Sequence, residues 1–347
     1  MPHLNILKSI FLSPSGQALA VPVMKWGDNM SKISDEKGSF AIAVIVLIVV
    51  LVVVLAFAAV LFLPVKAVNF DESRTVSSET GVNKMNLKLS TDIGEVRVIY
   101  TNLTGQALSL HVTAKGAVGY FMDPNSISLD FVHSTSADTA IVNAAVSVKE
   151  RLSGAANLNL RCDVLIDSSM RSKLDLSTNV GSVNVSTANA SAFDQVSLNA
   201  RTGAVSLHVT TGVSLYGDIS LSTNVGASIL EWNDPLVRQD IKVDATTKTG
   251  GVELRVNQTT AMNKTVTLNG TAATGGVSLN MDIEGNIGAA INSTANLGGV
   301  QVGSKVGFIG SDKALTSTNY PAAGNFVTHL KTNIGGVEVN ALSVPSN

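Results

Sequence analysis

Reactive chemistry needs nucleophiles, bases or metal ligands held near one another, and this sequence scatters them. Cys162 is the lone cysteine, so no disulfide can form within the chain. It stands in "LNLRCDVLI", where Leu158, Leu160, Cys162, Val164 and Ile166 share one parity. At a period of two these side chains point to one face, which makes Cys162 a small core hydrophobe. The histidines His3, His111, His133, His208 and His329 are far apart, and no H-x-x-x-H, H-E-x-x-H or C-x-x-C occurs. A zinc site is therefore not expected. His111 and His208 fall on the outward parity of their strands, as solvated face residues. There is no G-x-S-x-G elbow and no G-x-x-x-x-G-K-[S/T] loop. The "TGG" corners open strands, so they lack the helix amides that hold a phosphate. A β-helix that cleaves polysaccharide builds its site from carboxylates on one face, and the candidates here are Asp218, Asp244, Glu253 and Asp282. They stand singly along the chain. Calcium-binding G-G-x-G-x-D repeats are absent. We assign no catalytic, cofactor-binding or metal-ligating residue and no cofactor, and expect a protein that is not an enzyme.

The elements that would position any site follow from composition. Charged residues make up 14% of 347 and aromatics 5%, with a net charge of −2. No basic field exists to hold nucleic acid. Ser, Thr, Asn, Gly and Val suit short strands and polar turns better than amphipathic helices. From Leu87 onward, runs such as "VRV", "LSLHV", "VELRV" and "VSLNMDI" place apolar residues at i, i+2 and i+4. That alternation marks half-buried strands, and the body is expected to be all-β.

Before the body comes a run without one polar side chain, from Phe40 to Leu63, 24 residues long. As a helix it spans about 36 Å, enough for a bilayer core of about 30 Å. It is longer than a signal-peptide core, so a retained signal anchor that contacts membrane lipid is expected. Lys25, Lys32 and Lys37 on one side against Lys66 and Arg74 on the other favour a cytoplasmic amino terminus. Met24 and Met30 are alternative starts to Met1. Seven N-x-S/T sequons, at Asn102, Asn184, Asn189, Asn257, Asn263, Asn269 and Asn292, follow the apolar run and are glycosylation candidates of an exported body. Lys37–Gly38 before a long apolar helix resembles the signal of type IV pilins, in which a peptidase cuts after the glycine and the helices pack into a filament. The glutamate usual near the fifth mature position is replaced by Ala43. The resemblance implies, as an alternative, a pilin-like filament subunit.

The body repeats itself. "LSTDIGEVRV", "LSTNVGSVNV", "LSTNVGASIL" and "LKTNIGGVEV" share the form [S/T]-x-x-G-x-V-x-[V/L], broken at one copy by Ser228. The glycines are Gly94, Gly181, Gly203, Gly226, Gly250, Gly275, Gly298 and Gly335, and from 181 to 298 the steps are 22, 23, 24, 25 and 23 residues. A near-constant period is the mark of a repeat architecture. The glycine permits a corner with positive φ, and the Ser, Thr or Asn before it can bond its own backbone. In "VELRV", Val252, Leu254 and Val256 would point inward, Glu253 and Arg255 outward. Stacked coils of a β-solenoid, of about 23 residues each, fit better than successive hairpins, because tight Asn-Gly turns are missing at the corners.

These corners resemble those of a bacterial and archaeal family of adhesin-like domains of unknown function, with repeated Gly-x-Val-x-Val turns. The likeness covers roughly 170–345, and is weaker over 85–170. That family usually has Asp after the glycine, where this chain has Glu95, Ser182, Ala204 or a second glycine. The resemblance implies a β-solenoid-like body behind a membrane anchor, acting at the cell surface. The expected organisation is therefore a largely disordered cytoplasmic tail (1–39), a transmembrane helix (40–63), a linker (64–84), a β-rich subdomain built as a sandwich or as degenerate coils (85–171), and a solenoid-like repeat domain (172–347). The expected role is structural or adhesive. The partners would be membrane lipid and cell-envelope proteins or glycans, with a polysaccharide-binding or polysaccharide-active β-helix as a further alternative.

Overall fold

The computed structural model describes residues 48–53, 66–118, 127–148, 158–188 and 190–345. The chain divides into two compact units, 1–63 and 64–347. Of the first, residues 48–53 are helical and exposed. No helix among the described residues is long and apolar enough to cross a membrane. The tail, the rest of the apolar run, the Gly38 cleavage position and Asn189 lie outside the described residues.

The second unit is all β. Its strands begin with β1 (Lys66–Ser77), β2 (Lys84–Ile93), β3 (Glu95–Thr101), β4 (Gln106–Val118), β5 (Ile127–Ser136), β6 (Thr139–Val148), β7 (Asn159–Asp167), β8 (Arg171–Val180) and β9 (Val183–Ser186). The regular middle holds β10 (Ala192–Thr202), β11 (Val205–Val209), β12 (Ser214–Leu215), β13 (Ile219–Val225), β14 (Ser228–Asn233), β15 (Leu236–Val237), β16 (Ile241–Thr249), β17 (Val252–Gln258), β18 (Thr265–Thr274) and β19 (Val277–Glu284). Last come β20 (Ile287–Leu297), β21 (Val300–Val306), β22 (Phe308–Ser311), β23 (Ala314–Ser317), β24 (Gly324–Ile334) and β25 (Val337–Val344).

Each repeat is one rung of two strands joined at its corner glycine. The first strand lies in a 14-stranded sheet and the second in an 11-stranded sheet. Successive rungs pair in parallel, β10 with β8 and β13, β11 with β9 and β14. Hairpins would pair antiparallel, so the repeat is a stack of coils. Alternation then fills the space between the sheets. Val252, Leu254 and Val256 are buried, while Arg255 is exposed and Glu253 partly so. Cys162 is buried in the same core, where burial pushes its thiol up to about 12. Ser228, the residue that breaks the motif, is also buried, and its hydroxyl donates to the Thr246 carbonyl at 2.7 Å. The polar intruder is tolerated because the next rung supplies its acceptor.

The corner hydroxyls do something other than the local bonding expected of them. Thr178, Thr223, Thr247 and Thr332 donate to the carbonyls of Gly94, Gly203, Gly226 and Gly275, each on the adjacent rung, at 3.3, 2.9, 3.2 and 2.9 Å. Thr91 alone bonds locally, to the Ile93 carbonyl at 2.6 Å. The hydroxyl is thus chiefly a tie between rungs. Replacing Thr223 by valine keeps the shape and strands the Gly203 carbonyl, so stability should fall by about 1 kcal/mol. A denaturant midpoint that drops at constant slope would show it; an unchanged midpoint would remove the tie from the account.

Two expectations about organisation are corrected. Residues 64–84, read as a linker, contain β1, which pairs with β4 along twelve positions. No boundary falls near Ser172: β8 pairs with β2 on one side and β10 on the other, and the ladders run on unbroken. Within 85–171, β2–β3 is a regular rung, and β6 and β7 extend the two sheets beside it by pairing in parallel with β2 and β3. The antiparallel strands β1, β4 and β5 close that end.

Order in space departs from order in sequence at both ends. β6 and β7 lie outside β2 and β3, although they follow them in the chain. At the other end β24 lies between β18 and β20, and β25 between β19 and β21. The last rung of the chain is therefore the second to last of the stack.

Candidate functional site

Parallel stacking in register lines up equivalent residues of every rung into columns, with neighbours about 4.8 Å apart. On the outer face of the 11-stranded sheet one column reads His208, Glu231, Arg255, Asn280, Asn340, Ser304. Each stands five residues after its corner glycine, except Ser304, which a bulge at Gly303 displaces by one. A Cβ on Gly303 would sit 2.4 Å from Oδ1 of the Asn340 side chain in the same column. A second column, seven residues after the glycine, reads Asn233, Asn257, Asp282, Leu342.

The two columns line a groove of about 450 Å³. At one end the charges satisfy one another. Glu231 bonds His208 through its Oε2 and Arg255 through its Oε1, and Arg255 Nε donates to Glu253 at 2.8 Å. The hydrogen bond to His208, then Arg255, holds the Glu231 carboxyl below its usual range. These groups are a third to a half exposed, so the network adds little to stability and serves mainly to fix side-chain positions. Asn257 Nδ2 donates to Asn233 Oδ1 at 3.1 Å. At the other end Asp282 Oδ1 is shielded from solvent and has no hydrogen-bond partner among the described residues. Beside Asp282 stands Leu342, half-buried, and beyond it Val306, 59% exposed.

The groove is anchored from below. Trp232 is buried, donates Nε1–H to Gln258 Oε1 at 2.8 Å and meets Phe326 edge to face at 5.9 Å. Gln258 in turn donates to Asp234 Oδ1 and the Thr260 carbonyl. Burial pushes the Asp234 carboxyl up, but hydrogen bonds from Thr259 and Thr260 outweigh it and hold it below its usual range. A carboxyl with a depressed folded pKa stabilises the fold above its unfolded pKa, near 3.9, and that stability is lost as pH falls through the folded value. Thermal melts should therefore weaken below about pH 4, and Asp234→Asn should flatten that limb. An identical acid limb in the variant would clear Asp234 of the role.

A second groove, of about 750 Å³, runs beside the corners along Gly251, Gly276, Gly336 and Gly299, with Glu253, Ser278, Glu338 and Gln301 above it. These second glycines have ordinary φ and room for a Cβ.

The carboxylates proposed from sequence are not brought together. Asp218 and Asp244 belong to the 14-stranded side, where Asp218 accepts from the Lys242 amide and Asp244 pairs with Lys242 and Asn269. Glu253 and Asp282 lie on the other sheet, Glu253 opposite Ser278 and Asp282 opposite Asn257. Among the described residues no group of three or more His, Cys, Asp or Glu is placed to hold a metal ion. His111 Nε2 meets Asp71 Oδ1 at 2.9 Å on the surface. Of the sequons, Asn102 and Asn263 are exposed between strands, while Asn257 and Asn292 are exposed on strands. Asn184 and Asn269 are engaged: Asn184 Nδ2 donates to Glu95 and Asn269 Nδ2 to Asp244, both at 2.8 Å. Of the residues that line the groove, sequence reasoning named His208, Arg255, Val256, Asn257 and Asp282 separately, as strand-face, core, sequon or carboxylate positions, and did not join them with the rest into one site. Aligning the repeats on their glycines and reading the fifth and seventh places would have found them.

No protein-family model matches the chain, and no curated protein matches it. Among solved structures it is similar to a candidate cell-adhesion protein from Clostridium sporogenes, at 11% identity and TM-score 0.41, over 79% of this chain and 99% of that one. It is also similar to a candidate adhesin from Bacteroides fragilis, at 10% identity and TM-score 0.27, over 81% of this chain and 96% of that one.

Proposed function

We propose that the chain is a single-pass, membrane-anchored cell-surface protein whose solenoid-like body serves a structural or adhesive role without catalysis. The observation that carries this reading is the pair of side-chain columns, five and seven residues after the corner glycines, on an open sheet face. Rigid rungs hold them at a fixed spacing, which suits repeated contact with an extended partner. The apolar run from Phe40 to Leu63 supplies the anchor, with residues 1–39 in the cytoplasm and the body outside. Protease shaving of intact cells tests the topology. Peptides from beyond Lys66 should be released while residues 1–39 stay protected, and the reverse pattern overturns it. Attachment of cells displaying the full chain tests the role: joint replacement of Glu231, Arg255, Asn257 and Asp282 by alanine should reduce it, and undiminished attachment removes this face from adhesion.

A further inference from the structure

We propose that the groove between the two columns is a binding site for a neutral oligosaccharide, with Asp282 as its central acceptor. The proposal rests on the adhesive reading and names the ligand of that face.

Asp282 Oδ1 is the starting point. A carboxylate oxygen cut off from water and left without a donor is costly, and buried orphans of this kind call for an explanation. Asp282 is itself only partly buried and lines the groove, so a turn of its carboxylate would bring this oxygen to a hydroxyl or amide N–H of a ligand lying there. The groups around it favour such a donor. Asn280, two residues before it on the same outward face of β19, has no side-chain partner among the described residues, and neither has Ser304. Asn257 and Asn340 flank β19 on the neighbouring strands. Amides of this kind both give and accept hydrogen bonds, as sugar hydroxyls do.

Charge narrows the class. Of the charged and basic groups that line the groove, Glu231 engages both His208 and Arg255, Arg255 is further held by Glu253 from the neighbouring groove, and Asp282 is left as the carboxylate without a counter-ion among the described residues. An anionic polymer would meet the Asp282 carboxylate and no unengaged cation among the described residues that line the groove. Shape and polarity narrow it again. Along the second column, polar Asn257 and Asp282 give way to half-buried Leu342 and exposed Val306. A pyranose ring presents the same pair of surfaces, a hydroxyl edge and an apolar C–H face. The columns continue from rung to rung, so a chain of sugars can meet equivalent positions in succession.

The test uses the full chain in detergent, titrated with soluble hexasaccharides of β-linked glucose and of β-linked N-acetylglucosamine. At least one should bind, and Asp282→Ala should weaken that binding about tenfold or more. The same variant should melt at or above the wild-type temperature, because it removes an unsatisfied buried acceptor, not a structural contact. Asp244→Ala, on the other sheet, should bind as wild type. The proposal is overturned if neither sugar binds, if only charged oligosaccharides bind, or if Asp282→Ala binds undiminished. Lack of sugar binding together with attachment that still depends on the columns would discard the ligand and leave the adhesive reading standing. Loss of stability in Asp282→Ala would assign Asp282 to the fold.

Discussion

Alanine in place of Gly250 is expected to unfold or split the stack, while alanine in place of Gly251, one residue on, is expected to be harmless. Gly250 has φ of +136°, a conformation that side chains rarely adopt, and its ideal Cβ would lie 1.8 Å from the Gly226 carbonyl oxygen. That oxygen is backbone and cannot swing away. The rung beyond is equally tight, since a Cβ on Gly275 would lie 1.7 Å from the Gly250 oxygen. Relief in one direction therefore presses on the next rung. Strain at φ and the forced separation of rungs together should cost about 3–5 kcal/mol, a large part of the 5–15 kcal/mol that holds a typical domain together. Gly251 has an ordinary φ, and a Cβ there meets nothing closer than the Gly276 oxygen at 3.9 Å. Alanine there should be neutral or stabilise by up to about 1 kcal/mol, through the unfolded chain. Parallel denaturant titrations decide it. Equal midpoints for the two variants would mean that the corners do not set the rung spacing.

This contrast shows what the sequence could and could not disclose. The corner and the strand after it are local, so Gly250, Val252, Leu254 and Val256 announce their places by spacing alone. The neighbour of each rung is not local. The corners at Gly275, Gly298 and Gly335 are all Gly-Gly-Val, and nothing in them says that 335 lies between the other two. That choice is made by pairing across 57 and 37 residues of chain, as with Gly275 to Thr332 and Asn296 to Asn333. The groove escaped for the same reason. Asn257, Asp282 and Leu342 lie in separate copies of the repeat and become a surface only when the rungs stack. Ser228 looked like a lapse in the motif because its acceptor, the Thr246 carbonyl, belongs to the next rung.

Ending the chain after Ala323 should therefore do far more damage than trimming a terminus usually does. Residues 324–345 form β24 and β25, which bond on both sides, so their loss breaks four parallel ladders at once. Phe326, Leu330, Val337 and Val339 are fully buried there. At about 1.5–3 kcal/mol each, their removal alone approaches the stability of a domain. The rung β20–β21 would lose its β-partners β24 and β25, and the β22–β23 hairpin, which pairs with β20, would be detached with it. The truncated full chain should lose its cooperative melt or aggregate through the opened edges of β18, β19, β20 and β21. Because the missing piece is a rung with both neighbours preformed, a peptide covering 318–347 should refill the slot in trans and restore the melt in proportion to its concentration. A truncated chain that melts at the wild-type temperature without peptide would show that the inserted rung is dispensable. Restoration by a peptide with Gly335 replaced by alanine would show that its corner need not stack between Gly275 and Gly298.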